Sequence, residues 1–285
     1  MIKLFNYLFQ SIIIYFFFIF GRLVGLRFSR KFFSYLFLKL GPFFKSKKII
    51  KKNLNFFSNN LSDEKIRLIT SSMWKNYGMT FIEYAFLDKF RKGNSHISID
   101  SEKKFENIFE RNKQVIFVSG HFANFELMSM EMTKRNIKLA TIYRPLNNYF
   151  LNPFMEYLRR KFICGHQIKK GINGVRDTIN YINNEFSIAL MIDQRVSEGE
   201  SVDFFNKQAL TTTLPAQLAI KFKIPVVPVY IERNVQNNFK IEFLDEIRPS
   251  NFKNKFELTE QLNQVLEEMI SKNPYQWIWT HNRWK

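Results

Sequence analysis

Cysteine is almost absent from this chain of 285 residues. Cys164 stands alone, so no disulfide can form within the chain, and a thiolate metal cluster is excluded. Such cysteine usage is typical of a reducing compartment, where we expect Cys164 to be a small buried apolar residue. Proline (8) and glycine (10) are also sparse. We expect one large domain with an appendage, and a hydrophobic content of 46% is enough for a full core.

Two common catalytic signatures are missing as well. The sequence contains no Gly-x-Ser-x-Gly nucleophile elbow, which argues against a serine hydrolase. It contains no His-Glu-x-x-His pair or comparable spacing of zinc ligands. We therefore expect neither a metal nor a cofactor at the functional site.

Acidic residues are absent from the first 60 positions, which carry eleven of the 43 lysines and arginines. The whole chain has a net charge of +18, so this segment holds more than half of the excess. A basic segment joined to apolar residues indicates attraction to the anionic lipids of a membrane. Nucleic acid is the alternative partner, but we find no recognition motif for it and expect none to bind.

The apolar residues of this segment are concentrated in "LFNYLFQSIIIYFFFIF", residues 4–20. Its 17 residues are near the lower limit for a helix that spans a bilayer. Residues 1–26 are therefore predicted to be a transmembrane helix or a helix in the membrane interface. Residues 27–90 are predicted to be a basic, helical, membrane-proximal segment. Most bases follow the apolar run, and no cleavage site does, so the main domain is expected to stay cytoplasmic.

Residues 91–285 alternate between apolar runs and helical patterns. The strongest strand patterns are "QVIFVS" at 114–119, "SIALMI" at 187–192 and "PVVPVYIE" at 225–232. This alternation predicts an α/β domain with a mostly parallel central sheet flanked by helices, behind an N-terminal membrane-anchoring helix. Ligands of such sheets bind at the carboxyl ends of strands, and Ser119 is one such end.

The stretch "GHFANFE", residues 120–126, begins at this strand end. On a continuous helix, His121 and Glu126 would point about 140° apart, so they can meet only if the chain turns between them. Gly120 permits an unusual φ and leaves room for a substrate, and Asn124 can cap a new helix. An ionised Glu126 in the first turn would fix the imidazole tautomer and make His121 a general base. A structural histidine is the alternative that the spacing alone leaves open.

Five segments in chain order resemble one known family. "GHFANFE" resembles the His-x4-acid motif of the glycerolipid and lysophospholipid acyltransferase superfamily. The other four are "YRPLNNYFLNPFME" (143–156), "MIDQRVSEGESVDFF" (191–205), "TTLPAQLAIKFKIPVVPVYIER" (212–233) and "PYQWIWTHNRWK" (274–285). Together they are similar to the lipid A late acyltransferases, the lauroyl and myristoyl acyltransferases, over nearly the whole chain.

The resemblance implies a reaction in lipopolysaccharide biosynthesis at the inner membrane. An acyl chain, carried as a thioester on acyl carrier protein, passes to a hydroxyl of a lipid A precursor. His121 would be the general base and Glu126 its partner. Arg144 would hold a phosphate or orient the acceptor, since a guanidinium suits two-point phosphate contacts. The implied substrate-binding residues are Gly120, Arg144, Lys170, Asp193, Gln194 and Arg195.

Two alternatives remain open at this point. An acyltransferase with the same histidine motif could act on another membrane glycolipid or on a lysophospholipid. A non-enzymatic membrane-surface protein would use the basic segment alone, and this leaves the coincidence of "GHFANFE", "YRPL" and "DQR" unexplained.

Overall fold

A seven-stranded sheet forms the centre of the protein, in a computed structural model that describes residues 2–100 and 102–285. The seven strands of this sheet and the two of a separate hairpin are, in chain order, β1 (Ile97–Asp100), β2 (Ile116–Ser119), β3 (Leu139–Tyr143), β4 (His166–Lys169), β5 (Ser187–Met191), β6 (Glu200–Phe204), β7 (Lys207–Thr211), β8 (Val226–Arg233) and β9 (Phe239–Phe243). The main sheet has the order β1-β9-β8-β2-β5-β3-β4, and all its neighbours are parallel except β8 and β9. The predicted mostly parallel sheet is therefore confirmed.

Helices surround this sheet and form the N-terminal segment. They are α1 (Ile2–Val24), α2 (Leu26–Phe44), α3 (Lys47–Phe57), α4 (Asp63–Glu83), α5 (Leu87–Lys92), α6 (Glu102–Arg111), α7 (Glu126–Lys134), α8 (Asn152–Leu158), α9 (Ile172–Asn183), α10 (Leu214–Phe222) and α11 (Lys255–Lys272). All four residues of β2 are buried, as expected for a strand that is covered on both faces.

The first helix packs one face against the rest of the chain and exposes an apolar face. Ser11 hydrogen-bonds to Asn148 (3.0 Å), and the guanidinium of Arg22 pairs with both carboxylate oxygens of Asp88 (2.8 and 2.9 Å). The exposed large side chains of α1 include Leu4, Phe5, Phe9, Ile12, Phe16, Ile19 and Leu23. By length and composition, with a mean hydropathy of 1.8, α1 could cross a membrane.

Two features were not predicted from the sequence. Strand β4 is a short edge strand with polar, exposed ends, so it lacks the apolar run of a central strand. Strands β6 and β7 pair separately as an antiparallel hairpin. Its two-residue turn consists of Phe205 and Asn206, which have positive φ values of 53° and 55°. Neither residue is glycine, which usually marks such a turn in a sequence.

Candidate active site

His121 and Asp193 form a hydrogen-bonded pair at the carboxyl end of the sheet. In the register of β2 and β5, Ser119 lies opposite Met191, and Ile192 N–H donates to the carbonyl of Ser119 at 2.9 Å. Each side chain of the pair therefore leaves its strand two residues after a paired position. Nδ1 of His121 lies 2.7 Å from Oδ1 of Asp193, and the backbone N–H of His121 donates to Oδ2 at 2.8 Å.

The surroundings of this pair keep the carboxylate ionised. Trp277 Nε1–H donates to Oδ2 of Asp193 at 2.9 Å. Burial alone would raise the pKa of Asp193, but His121 and these hydrogen bonds hold it below its ordinary value. Burial alone would lower the pKa of His121, but Asp193, with a contribution from Glu126, raises it above its ordinary value. An ionised Asp193 places the imidazole proton on Nδ1, so Nε2 is the basic nitrogen.

His121 opens on a cavity of about 320 Å³. Its Nε2 makes no hydrogen bond within residues 2–100 and 102–285, so this nitrogen is available to a molecule in the cavity. The basic residues that share the lining are Arg144, Arg159, Lys170, Arg195 and His281. A base beside several cations suits proton removal from an acceptor that itself carries negative charge.

Glu126 lines the same cavity, but its hydrogen bonds lead away from His121. Oε1 accepts from Nε of Arg159 at 2.7 Å and from the hydroxyl of Tyr84. Burial would lower the pKa of Arg159, but Glu126 and Tyr84 raise it. The expected hydrogen bond between Glu126 and the imidazole is therefore not formed. Asp193 has that position because its strand is the neighbour of β2, while Glu126 acts on His121 through its charge.

The chain turns sharply within residues 120–126, and its unusual φ belongs to another residue than expected. The left-handed residue is Ala123, with φ 43°, and not Gly120. A Cβ atom at Gly120 would lie 2.8 Å from Cε2 of Phe122 and 3.0 Å from Cδ1 of Leu266. A side chain at this position would force Phe122 or Leu266 to shift, so buried side chains, and not open space for a substrate, account for the glycine.

Asn124 also differs from its predicted role as a helix cap. Its Nδ2 donates to Oε2 of Glu83 at 2.9 Å, and α7 starts at Glu126 without a side-chain cap. Glu126 is nevertheless in the first turn of α7, as predicted.

The similarity to known proteins decides the family. Residues 3–285 match the family of bacterial lipid A biosynthesis acyltransferases. The chain belongs to this family. It is an acyltransferase, and with the apolar helix α1 the family indicates membrane association.

The comparisons with individual proteins add little to this result. Among solved structures, the chain is similar to the 1-acyl-sn-glycerophosphate (LPA) acyltransferase PlsC from Thermotoga maritima, with 13% identity and a TM-score of 0.43. The match covers 89% of this chain and 100% of that one, and at this distance it carries no argument about substrate. A comparison with curated proteins finds no match.

Most of the substrate-binding residues predicted for this acyltransferase lie together. Burial lowers the pKa of Lys170. The neighbouring charge of Arg144 lowers it further, and the charge of Glu198 opposes both effects. Asp193 lies behind His121 with 2% of its side chain exposed, and so serves the imidazole rather than the cavity surface. The predicted residues that line the cavity are His121, Glu126, Arg144, Lys170, Gln194 and Arg195, whereas Gly120 is not among its lining residues.

Arg159, Trp277 and His281 are among the residues of the candidate site that the sequence did not predict. Nε2 of His281 accepts a hydrogen bond from the backbone N–H of Arg195 at 2.9 Å, so the C-terminal segment holds the "DQR" loop beside the cavity. Burial lowers the pKa of His281, which favours the neutral form that can accept this bond. Trp277 and His281 lie in "PYQWIWTHNRWK", so the resemblance contained their signal.

Proposed function

We propose that this acyltransferase moves a fatty acyl chain from acyl carrier protein to a hydroxyl of a lipid A precursor. The observation that carries the proposal is the imidazole of His121, with Nδ1 tied to Asp193 and Nε2 available in a cationic cavity. We propose that the acceptor hydroxyl lies against Nε2. The family match supports this class of acceptor.

One group, the imidazole of His121, can make both proton transfers of the reaction. Nε2 of His121 takes the hydroxyl proton while the acceptor oxygen attacks the thioester carbonyl carbon. The tetrahedral intermediate collapses, the C–S bond breaks, and the thiolate of the carrier takes the proton back from the imidazolium. Asp193 stabilises the imidazolium through its hydrogen bond, and Glu126 adds a second negative charge nearby. No protein nucleophile is needed in this sequence of steps.

The remaining cations suit a phosphorylated acceptor. Arg144, Lys170 and Arg195 all line the cavity beside His121. We propose that they bind phosphate groups and place the acceptor hydroxyl against Nε2. Arg159 is already paired with Glu126, so its charge is less available to substrate.

We further propose that α1 lies in the interface of the cytoplasmic leaflet of the inner membrane. Its contacts with the rest of the chain run from Tyr7, whose carbonyl accepts from Nδ2 of Asn148 at 2.8 Å, to Arg22, so residues 2–6 extend beyond these contacts. Five helical residues reach about 7 Å, whereas the hydrocarbon core is about 30 Å thick. The exposed apolar face of α1 and the basic residues that follow it fit an anionic lipid surface.

The test is transfer by the purified protein from acyl carrier protein to a lipid A precursor in mixed micelles, measured by mass spectrometry. His121→Ala should lower the rate by several orders of magnitude because it removes the base. His166→Ala is the matched control, since His166 is exposed and far along the sheet at β4. Transfer to a lysophospholipid or another glycolipid, but not to the lipid A precursor, would reassign the acceptor. Equal rates in His121→Ala and wild type would refute the mechanism.

A further inference from the structure

A buried ionic network lies beneath the turn that follows His121. Its centre is Glu83, which is 0% exposed at the end of α4. Oε1 of Glu83 accepts from Nε of Arg30 at 2.6 Å and from Nη1 of Arg233 at 2.5 Å. Oε2 accepts from Nη2 of Arg233 at 3.0 Å. One carboxylate is thus shared by two guanidinium groups.

The charges of this network keep Glu83 ionised. Burial alone would raise the pKa of Glu83, but Arg233 and Arg30 outweigh burial and hold it below its ordinary value. Breaking such a buried pair is costly because it leaves an uncompensated charge. The two arginines and Glu83 therefore hold one another in place, and neighbouring polar groups bond to them.

The turn is bonded to this network through the side chain of Asn124 and the carbonyl of Ala123. Nδ2 of Asn124 donates to Oε2 of Glu83 at 2.9 Å. The carbonyl of Ala123 accepts from Oγ1 of Thr80 at 2.9 Å and from Nδ2 of Asn76 at 3.4 Å. These two donors are themselves held by Arg233, which donates to Oδ1 of Asn76 at 3.0 Å and to Oγ1 of Thr80 at 3.2 Å.

The turn needs this support because its backbone is strained. Ala123 has φ 43°, in the left-handed region that costs an alanine about 1–2 kcal/mol. Such residues persist when their surroundings over-determine them. The direction in which the chain leaves Ala123 decides how far Glu126 lies from His121, and the peptide N–H of His121 is also bonded to Asp193.

We propose that Glu83 is a positioning residue of the active site, which acts through Asn124 to hold the turn between His121 and Glu126 in its reactive geometry. This inference rests on the proposed role of His121 as a base. Arg30 belongs to α2, so the same network joins the turn to the membrane-proximal segment.

The test variant is Asn124→Ala, which cuts the link to the turn and leaves the Glu83–arginine pairs intact. Asn112→Ala is a matched control, because Nδ2 of Asn112 also donates to a glutamate, Oε2 of Glu246, at 2.7 Å, but away from the site. We expect Asn124→Ala to lower kcat by about 10–100-fold with KM nearly unchanged, since small displacements of catalytic groups have such effects. Asn112→Ala should keep the wild-type kcat.

A second measurement does not depend on acyl transfer. The chain has 4 histidines, so NMR of histidine-labelled protein can follow the titration of His121. In Asn124→Ala the pKa of His121 should fall by about 0.5 or more, because Glu126 and Asp193 are held less closely. Thr80→Val removes a donor to the carbonyl of Ala123 and should also lower the pKa of His121. It is the variant to measure if Asn124→Ala does not fold.

The outcomes separate this inference from the proposed function. An unchanged kcat and an unchanged titration of His121 in Asn124→Ala overturn it. A loss of activity that is matched by Asn112→Ala, with the titration unmoved, shows a merely structural role and also overturns it. If the wild type transfers no acyl chain but the titration still moves, the positioning role stands and the proposed function fails.

Discussion

Replacement of Asp193 by asparagine tests the active-site geometry most directly. Oδ2 of Asp193 accepts two N–H donors, from the backbone of His121 and from Trp277, whereas Oδ1 faces Nδ1 of the imidazole alone. In Asp193→Asn the amide oxygen can satisfy the two fixed donors, so its NH₂ group points at Nδ1. Nδ1 must then accept, and the imidazole proton moves to Nε2. The base is lost although every hydrogen bond is kept.

The size of the effect follows from this change of tautomer. In a Ser-His-Asp triad the same substitution lowers kcat by about 10⁴-fold, which corresponds to about 5 kcal/mol of barrier. We expect a similar loss in Asp193→Asn. Glu126→Gln should cost about 10²-fold, because Glu126 supports the imidazolium by charge without a hydrogen bond to it.

The assay is the initial rate of acyl transfer, with the fold checked by circular dichroism and thermal unfolding. The double variant His121→Ala with Asp193→Asn should be no slower than His121→Ala alone, because both residues act as one unit. The pairing would be refuted by an Asp193→Asn enzyme that retains a tenth or more of the wild-type rate. It would also be refuted if Glu126→Gln proved the more damaging change.

Three further substitutions and one membrane-wash experiment give four more predictions. Because the charge of Glu126 raises the pKa of His121, and the base must be neutral, Glu126→Gln should move the acidic limb of the kcat/KM profile to lower pH; a shift to higher pH would contradict this. Gly120→Ala should lower the free energy of unfolding by about 1–3 kcal/mol, because the new methyl group overlaps buried side chains, and an unchanged melting temperature would exclude that overlap. Cys164→Ser should remain active and the wild type should hold no label after incubation with labelled acyl carrier protein alone, whereas a competent acyl-protein adduct would mean covalent catalysis. The protein should stay with membranes in a high-salt wash, because insertion of the apolar face of α1 is not screened, and full release by salt would leave only electrostatic attachment.

The elements predicted from sequence are those with a strong local signal. The apolar runs that became β2, β5 and β8 predicted the parallel sheet, and the strand end at Ser119 placed His121 at the ligand-binding edge. The hairpin of β6 and β7 gave no such signal, because its turn contains no glycine.

The partner of His121 could not be chosen from local spacing. Glu126 is five residues away in sequence and Asp193 is 72. The choice depends on which strand lies beside β2, and the order of strands is a long-range property of the sheet. A signal was present, since "SIALMI" is followed directly by the polar residues Asp193 and Gln194 at the same edge of the sheet. The role of Gly120 was likewise hidden, because Leu266, which excludes a side chain there, lies on α11.

The contacts between the C-terminal segment, residues 274–285, and the His121–Asp193 pair determine when the pair gains its support during synthesis. Trp277 bonds to Asp193 and forms a β-bridge with Phe122, and the carbonyl of Gln276 accepts from the N–H of Ala123. During synthesis α1 emerges before the sheet, so it can reach a membrane while the sheet is still unmade. Trp277 and Gln276 emerge only after both His121 and Asp193. We therefore expect a chain that stalls before Gln276 to lack these supports of the His121–Asp193 pair and to transfer no acyl chain.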